Sequence, residues 1–327
     1  MKKDKIRVGV VMGGPSAERE ISLITGSAVC NNLDKSKYSV MPIEYGKDYK
    51  FYSKDHKKRR LLELYELKKR TDIVFIALHG THGEDGGVQG LCETLNIKYT
   101  GSNVLSSALC MNKVFSGQIY NQNNLPHPFF IDIKKDGWKK YKQEVLSNIR
   151  EKIKYPAVIK PVDQGSAVGV SIVKNQNDLI GKLDTTFKSF PWLMVQRYIM
   201  GCEATCGILE KNNKLIALPP TAIIPNAGEF YDYKSKYAKG GSTHICPANF
   251  SDIINKKLQE YAGIAHKQLR CRGMSRTDFF VTKTNQIWLV ETNTIPGMTP
   301  TSLLPEAALK IGIKFSTMLD MIIIAGL

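Results

Sequence analysis

Four residues near the end of the chain combine side chains that bind hard cations with one that binds anionic oxygen: Arg276, Asp278, Glu291 and Asn293. Asp278 begins one strand-like segment and Glu291 ends the next, with the turn-forming KTNQ between them. A hairpin there would bring both carboxylates to one face. Glu291 and Asn293 are two apart, so in extended chain they point the same way. Three oxygen donors result, a set suited to magnesium, which binds through one or two carboxylates plus substrate phosphates. The same residues would equally suit two surface turns carrying solvated acids. Lys160 closes the apolar run YPAVIK ahead of the glycine-bearing loop DQGSAVG, an arrangement that can cradle phosphate. A strand-end lysine beside a β-hairpin is the plainer alternative. Lys113 and Lys236 carry little signal alone but could add the positive charge that a triphosphate requires. Glu18 follows Gly13 and Gly14 and falls in the expected first turn of a helix, where an acid also favours the helix dipole. Tyr237, in FYDYKSKY, is compatible with a plain surface aromatic.

The elements that must position these groups alternate in type. IRVGVVM at 6 to 12 and IVFIAL at 73 to 78 are short β-rich runs, each followed by a glycine or histidine turn and a helical segment. That alternation predicts a parallel sheet, with ligands at the carboxyl ends of its strands, where GGPSAERE and HGTHGEDGGVQG lie. This first domain is expected to span 1–102. A middle portion, 103–200, holds a helix around Met111 to Asn121, the strands YPAVIKP and VSIVK, and the run WLMVQRYI. The remainder, 201–327, contains strand-like GILE, LIALPPTAII, DFFV and IWLVETN. It also has a helix from about Ile253 to Arg270 whose apolar Ile254, Leu258, Tyr261, Ile264 and Leu269 form a core-facing stripe.

Composition narrows the function classes. The 327 residues suffice for two or three domains, and 43% hydrophobic with 23% charged residues is ordinary for a folded protein. A formal charge of +16 raises the question of nucleic acid or a membrane surface. Most of the excess sits in residues 47–70, with ten basic and four acidic side chains, and 134–154, with eight and three. Both read as solvated helices or excursions between hydrophobic strands, without the aromatic interleaving of a nucleic-acid motif. Neither a nucleic-acid nor a membrane partner is therefore expected. The opening MKKDKIRVGVVMGG leads into a glycine turn and reads as a first strand, and no run approaches the roughly 18 apolar residues that span a bilayer. Seven cysteines without a CxxC pair suit reduced thiols and a cytoplasmic protein, and argue against zinc even at Cys202 and Cys206.

These pieces, in this order, resemble the D-alanine–D-alanine ligases of the ATP-grasp superfamily. The resemblance runs almost end to end. It rests on GGPSAEREISLITG at 13 to 26, HGTHGEDGGVQGLCETLNIKYTGS at 79 to 102, MNK at 111 to 113 and YPAVIKPVDQGSAVGVS at 155 to 171. It continues through FYDYKSKY, ICPA, SRTDFF and LVETNTIPGMTPTSLLP. The resemblance implies an α/β (α+β) chain in three domains. An N-terminal parallel-sheet domain would bind the first D-alanine, and ATP would lie between the antiparallel sheets of the other two. Asp278, Glu291 and Asn293 match ligands of two magnesium ions, for which manganese can substitute, with Glu291 bridging. Lys113, Lys160 and Lys236 match lysines on the ATP phosphates. Glu203 matches the acid on the ribose hydroxyls, and Gln196, Arg197, Tyr198 and Ile199 match the strand that brackets adenine.

For the amino acid, Glu18 matches the carboxylate that holds the first D-alanine's ammonium, with Ser166 and Tyr237 as its hydrogen-bonded partners. His79 joins the substrate-binding set. Arg276 and the backbone amide of Gly297 match the oxyanion hole, and Ser302 and Leu303 match the holders of the second D-alanine's carboxylate. The implied reaction makes D-alanyl-D-alanine for peptidoglycan precursors through a D-alanyl phosphate, in a homodimer. A lid is expected over Lys234 to Thr243. Two positions depart from the family pattern: Ala167 stands where a second serine is common, and Gln196 where an acid often accepts the adenine amino proton. A neutral amide oxygen can still accept it. Tyr237 favours an amine over lactate as second substrate. Ligases joining D-alanine to D-lactate or D-serine, and a non-catalytic nucleotide- or nucleic-acid-binding protein, are the competing readings.

Overall fold

The computed structural model describes residues 5–55, 58–225 and 241–327. Three sheets organise them. In the first, β1 (Ile6–Gly13) lies parallel between β2 (Tyr38–Tyr45) and β5 (Ile73–Ile76), with β6 (Lys98–Tyr99) parallel beyond β5. β3 (Phe51–Asp55) and β4 (Lys58–Leu61) extend the β2 edge antiparallel. Valines at 8, 10 and 11 and the whole of Ile73–Ile76 are buried, as strands covered on both faces require. α1 (Arg19–Asn32), α2 (Leu64–Arg70) and α3 (Gly87–Thr94) supply the connections.

The basic stretch 47–70 is an excursion between β2 and β5, made of a hairpin and one helix. The strands are short and charged. Arg59 lies 3.3 Å over the Tyr52 ring and Arg60 pairs with Glu66. An edge strand with such side chains resists pairing with another chain, and its exposure hides the strand period from the sequence. The stretch 134–154 is helical, forming α6 (Lys135–Lys140) and α7 (Lys142–Lys152).

The second sheet is antiparallel, ordered β7 (Phe130–Lys134), β10 (Trp192–Arg197), β8 (Ala157–Pro161), β9 (Ser171–Val173). Ile159, Leu193 and Val195 on its outer face bury against Ile149 of α7 and Leu179 and Leu183 of α8 (Gln176–Thr186). The third runs β14 (Ser242–Ile245), β13 (Thr221–Pro225), β11 (Cys202–Lys211), β15 (Met274–Val281), β16 (Ile287–Asn293), with β12 (Lys214–Ala217) also on β11. α9 (Asp252–Gln268) is capped by Ser251 and buries Leu258, Ala262 and Ala265 against this sheet.

Two further helix groups tie the parts together. α4 (Val104–Met111) and α5 (Lys113–Gln122) occupy the region expected to hold one helix, and Asn112 separates them. Its side-chain oxygen accepts the amides of Val114 and Phe115, so one residue ends a helix and caps the next. Cys110, Tyr120 and Leu125 share a core with Phe279 and Leu289 of the third sheet. α10 (Leu303–Lys310) and α11 (Phe315–Gly326) close the chain. α11 places Met318, Leu319, Ile322 and Ile323 in one core with β1 and β5 of the first sheet. Full burial of such side chains contributes about 1.5–3 kcal/mol each, which holds the chain's end to its beginning.

Candidate active site

The caps and strand ends converge on one cleft of about 310 Å³. Glu18, His79, Lys113, Ser166, Arg276, Glu291, Asn293, Gly297, Ser302 and Leu303 all line it. Glu18 is the N-cap residue of α1 rather than a member of its first turn, and its side chain does not cap the helix. The carboxylate instead accepts the Ser166 hydroxyl across 148 residues of sequence. Gly80 makes room for it: at φ +72° it takes a left-handed conformation, and a Cβ would stand 2.8 Å from Glu18 Oε2. Ser166 and Ala167, at φ 50° and 58°, also adopt left-handed backbone that turns the β8–β9 loop towards the cleft.

Behind Glu18, the expected His79 stands beside a residue that sequence reasoning missed, Glu84. His79 Nε2 is 2.9 Å from Thr25 Oγ1, and its Nδ1 is 3.6 Å from Glu84 Oε1. Glu84 Oε2 accepts the Gly80 amide at 3.2 Å. Burial, reinforced by Glu18, raises the Glu84 carboxyl above the usual range, against the pull of His79. The signal was present in the HGTHGEDGGVQG stretch, where an acid follows a glycine turn. A second missed residue, His244 on β14, lines the same cleft, and its Nδ1 lies 2.9 Å from Glu306 of α10.

The carboxylates meet through strand register. Asp278 pairs with Glu291 and Arg276 with Asn293 across β15 and β16. Asp278 sits within β15, not at its start. Arg276 Nε and Nη2 donate to the two oxygens of Asp278 at 2.8 and 2.7 Å, and Thr205 Oγ1 lies 2.8 Å from Oδ1. Lys113, placed at the start of α5 by the Asn112 cap, donates to the Gln164 carbonyl at 2.7 Å and stands 3.3 Å from Glu291 Oε2. Lys160 is buried on β8, where desolvation and Lys113 push its ammonium down to about 8 against the pull of Glu291. The donor chemistry fits magnesium: two carboxylates and an amide oxygen are hard ligands, and cations already neutralise both acids in the protein alone. Asn293 Oδ1 also accepts the Ile295 amide at 2.9 Å. Ser302 is the N-cap residue of α10, and its hydroxyl accepts the Thr299 amide at 3.1 Å. The helix start beside it offers amides and a dipole that favour a carboxylate.

A second cavity of about 740 Å³ separates the two antiparallel sheets, between Tyr155, Ile172, Lys174, Tyr198 and Ile199 on one side and Glu203, Ile223 and Phe280 on the other. Gln196 is buried in β10, whereas the Arg197 side chain is exposed and donates to the Lys152 carbonyl at 3.2 Å. Lys236 and Tyr237 lie outside the described residues, as does the expected lid up to residue 240; Ser242 and Thr243 belong to β14.

Two antiparallel sheets enclosing a nucleotide-sized cavity, joined to a cleft with lysines, hard oxygen donors and an arginine, define a nucleotide-dependent ligase of the ATP-grasp class. Comparison with known proteins gives the family. A model of the D-ala D-ala ligase C-terminus matches residues 119–324, and one of the N-terminus matches 7–68 and 54–102. A D-alanine–D-alanine ligase from Syntrophobacter fumaroxidans is 42% identical, covering 99% of this chain and 98% of its own, and one from Geobacter sulfurreducens is 38% identical over 100% and 96%. Among solved structures, the VanG D-Ala:D-Ser ligase of Enterococcus faecalis superposes with a TM-score of 0.87 at 30% identity, covering 99% of this chain and all of that one. The Bacillus anthracis D-alanine–D-alanine ligase complexed with ATP gives 0.80 at 33%, over 98% and 97%. The chain belongs to the D-alanine–D-alanine ligase family, whose members are ATP-dependent ligases.

Proposed function

We propose that this protein joins two molecules of D-alanine to D-alanyl-D-alanine at the expense of ATP, for peptidoglycan precursors. One observation carries the reading: the Glu18–Ser166 pair, Arg276, Gly297 and the start of α10 share one cleft with Lys113 and Glu291. Substrate handles and phosphoryl-transfer groups thus face a common volume.

A carboxylate is a poor electrophile, so the first D-alanine must attack the γ-phosphorus of ATP and become an acyl phosphate, releasing ADP. Glu18, oriented by Ser166 and backed by His79, holds the ammonium of that D-alanine. Lys113 and Lys160, with Lys236, oppose the charge on the phosphates. Magnesium or manganese, held by Asp278, Glu291 and Asn293, would neutralise further phosphate charge. The second D-alanine, its carboxylate held at Ser302 and Leu303, offers a neutral amine to the acyl carbonyl. Arg276 and the Gly297 amide stabilise the oxyanion that forms, and phosphate departs as the peptide bond closes. Tyr198, Ile199 and Glu203 line the cavity assigned to adenine and ribose, with Gln196 and the backbone at Arg197 at the end of β10 just before them. In this reading residues 1–102 bind the first D-alanine, and 103–200 with 201–327 hold the nucleotide. ATP as substrate and seven free thiols support action in the cytoplasm, and the resemblance supports a homodimer.

The test is phosphate release from ATP with D-alanine, L-alanine or no amino acid, with the product identified by mass. D-serine and D-lactate as competing acceptors decide the second substrate. Phosphate matched one to one by D-alanyl-D-alanine is the expected result; a mixed depsipeptide or a D-alanyl-D-serine product would reassign the acceptor.

A further inference from the structure

His127 precedes β7, and its imidazole is buried between the rings of Tyr120 and Phe130, whose centroids lie 5.4 and 5.6 Å away. Gly117 leaves it that room, since a Cβ there would stand 2.9 Å from His127 Nε2. Both ring nitrogens are committed. Nδ1 lies 2.9 Å from the Leu289 carbonyl oxygen, which can only accept, so Nδ1 carries the proton. Burial and the neighbouring Lys160 push the imidazole down to about 3, which keeps it neutral. Nε2 is therefore an acceptor. Gln196 meets it with its amide nitrogen at 3.0 Å, and that nitrogen also lies 3.3 Å from the Pro128 carbonyl.

Two fixed acceptors on one side leave the Gln196 amide a single satisfactory orientation. Rotated by half a turn, its oxygen would face two lone pairs and both contacts would become repulsive. The amide oxygen consequently points away from His127. Register pairs Gln196 with Val158 and Met194 with Lys160, so Gln196 and Lys160 share one face of the sheet. That face is turned to Lys113 and Glu291, the groups assigned above to phosphoryl transfer, because both act on Lys160.

We propose that His127 is a positioning residue that locks Gln196 with its amide oxygen toward the nucleotide, so that the site accepts a purine with a 6-amino group and rejects one with a 6-oxo group. An amino group donates to the fixed oxygen; a 6-oxo group presents a second acceptor to it, and the amide cannot turn to compensate. The inference rests on the assignment of the intersheet cavity to ATP.

The experiment compares kcat/KM for ATP and for ITP, at saturating D-alanine, in the wild type, His127→Phe, Gln196→Met and the double variant. Wild type is expected to favour ATP. His127→Phe should lower the ATP-to-ITP ratio about tenfold or more, through KM, with the KM for D-alanine unchanged. Gln196→Met should lower it similarly, and adding His127→Phe should then change nothing further. The ratio is internal to each variant, so partial unfolding lowers both activities and leaves it alone. An unchanged ratio in His127→Phe overturns the proposal. If that variant does not accumulate, Gln196→Glu replaces it: a carboxylate has no hydrogen to offer Nε2, so the ring must take a second proton. A histidine NMR signal titrating near neutral pH should then appear that the wild type lacks, and its absence overturns the proposal. A wild type that turns over neither nucleotide with D-alanine would overturn the ligase reading instead; the same ratio taken from nucleotide-dependent thermal shifts would still decide this one.

Discussion

The Ser166 hydroxyl donates to the Glu18 carboxylate, joining the loop of the second sheet to the first helix of the chain across 148 residues. Removing it by Ser166→Ala takes away a hydrogen bond to a charged group, typically about 1.5–3 kcal/mol. The expected result is a rise of roughly 10- to 100-fold in KM for D-alanine with KM for ATP nearly unchanged. Steady-state kinetics with each substrate varied in turn checks it; equal effects on both would show that the bond only maintains the fold.

Gly80 sits beside the same carboxylate. Gly80→Ala forces a Cβ to within 2.8 Å of Glu18 Oε2 at a left-handed φ of +72°. A loss of about 1–2 kcal/mol of stability is expected from the backbone alone, together with weaker D-alanine binding. Denaturant unfolding and D-alanine kinetics read the two effects separately.

Lys160 couples pH to stability and to nucleotide binding in opposite directions. Its ammonium is pushed from 10.5 down to about 8 by burial and by Lys113. Between those values the unfolded chain binds a proton that the folded chain does not, so stability contributed by this group rises with pH across that window. Below about pH 8 the folded protein carries the buried charge. Phosphate binding needs that charge, so affinity for ATP should fall as pH rises through about 8. Lys160→Met should be more stable than wild type at pH 7, with the difference shrinking toward pH 10, while its ATP affinity collapses. Urea midpoints and ATP titrations for both proteins between pH 7 and 10 measure this; greater wild-type stability at pH 7 would contradict it.

Glu291 holds Lys113 at 3.3 Å and faces Asp278 in strand register. Chelation of divalent metal should abolish turnover, and added magnesium or manganese should restore it in the wild type. Glu291→Gln should lose about 100-fold or more in kcat with metal present. A variant that keeps wild-type kcat in excess magnesium would remove Glu291 from the metal site.

Arg276 donates two hydrogen bonds to Asp278. Arg276→Lys cannot reproduce that planar fork, and a kcat lower by about 10²–10³ is expected if it also serves the oxyanion. Single-turnover measurement of acyl phosphate and dipeptide distinguishes the steps: the second should slow more than the first.

Much of this arrangement is local and therefore readable from the chain. β-branched runs ending in glycine turns specify β1 and β5, and a two-residue period with a short polar turn specifies β15 and β16. Hairpin geometry then brings Asp278 opposite Glu291 with no distant contribution. The stripe Ile254, Leu258, Leu269 likewise sets which face of α9 is buried. The residues of the cleft were legible individually, through their types and their place beside glycines. Their companionship was not.

Long-range packing alone decided that Ser166 meets Glu18 and that His127 turns the Gln196 amide. Each joins segments whose separation in sequence carries no periodic signal, and each depends on elements that side-chain burial packs together. Asn112 illustrates the boundary between the two. An asparagine inside a helical pattern can be surface or cap; here the Lys113 amide donates to the Val162 carbonyl just after β8, the backbone leaves the helical pattern at Asn112, and its side chain caps α5. The hairpin β3–β4 illustrates the converse: Phe51 and Ser53 of β3 are buried, but the described side chains of β4 are exposed and leave no hydrophobic alternation, so its pairing is fixed by the strand edge that it completes. The sequence determined the elements and their chemistry because those follow from neighbours along the chain; the tertiary structure decided the partnerships, because only burial against distant residues makes them favourable.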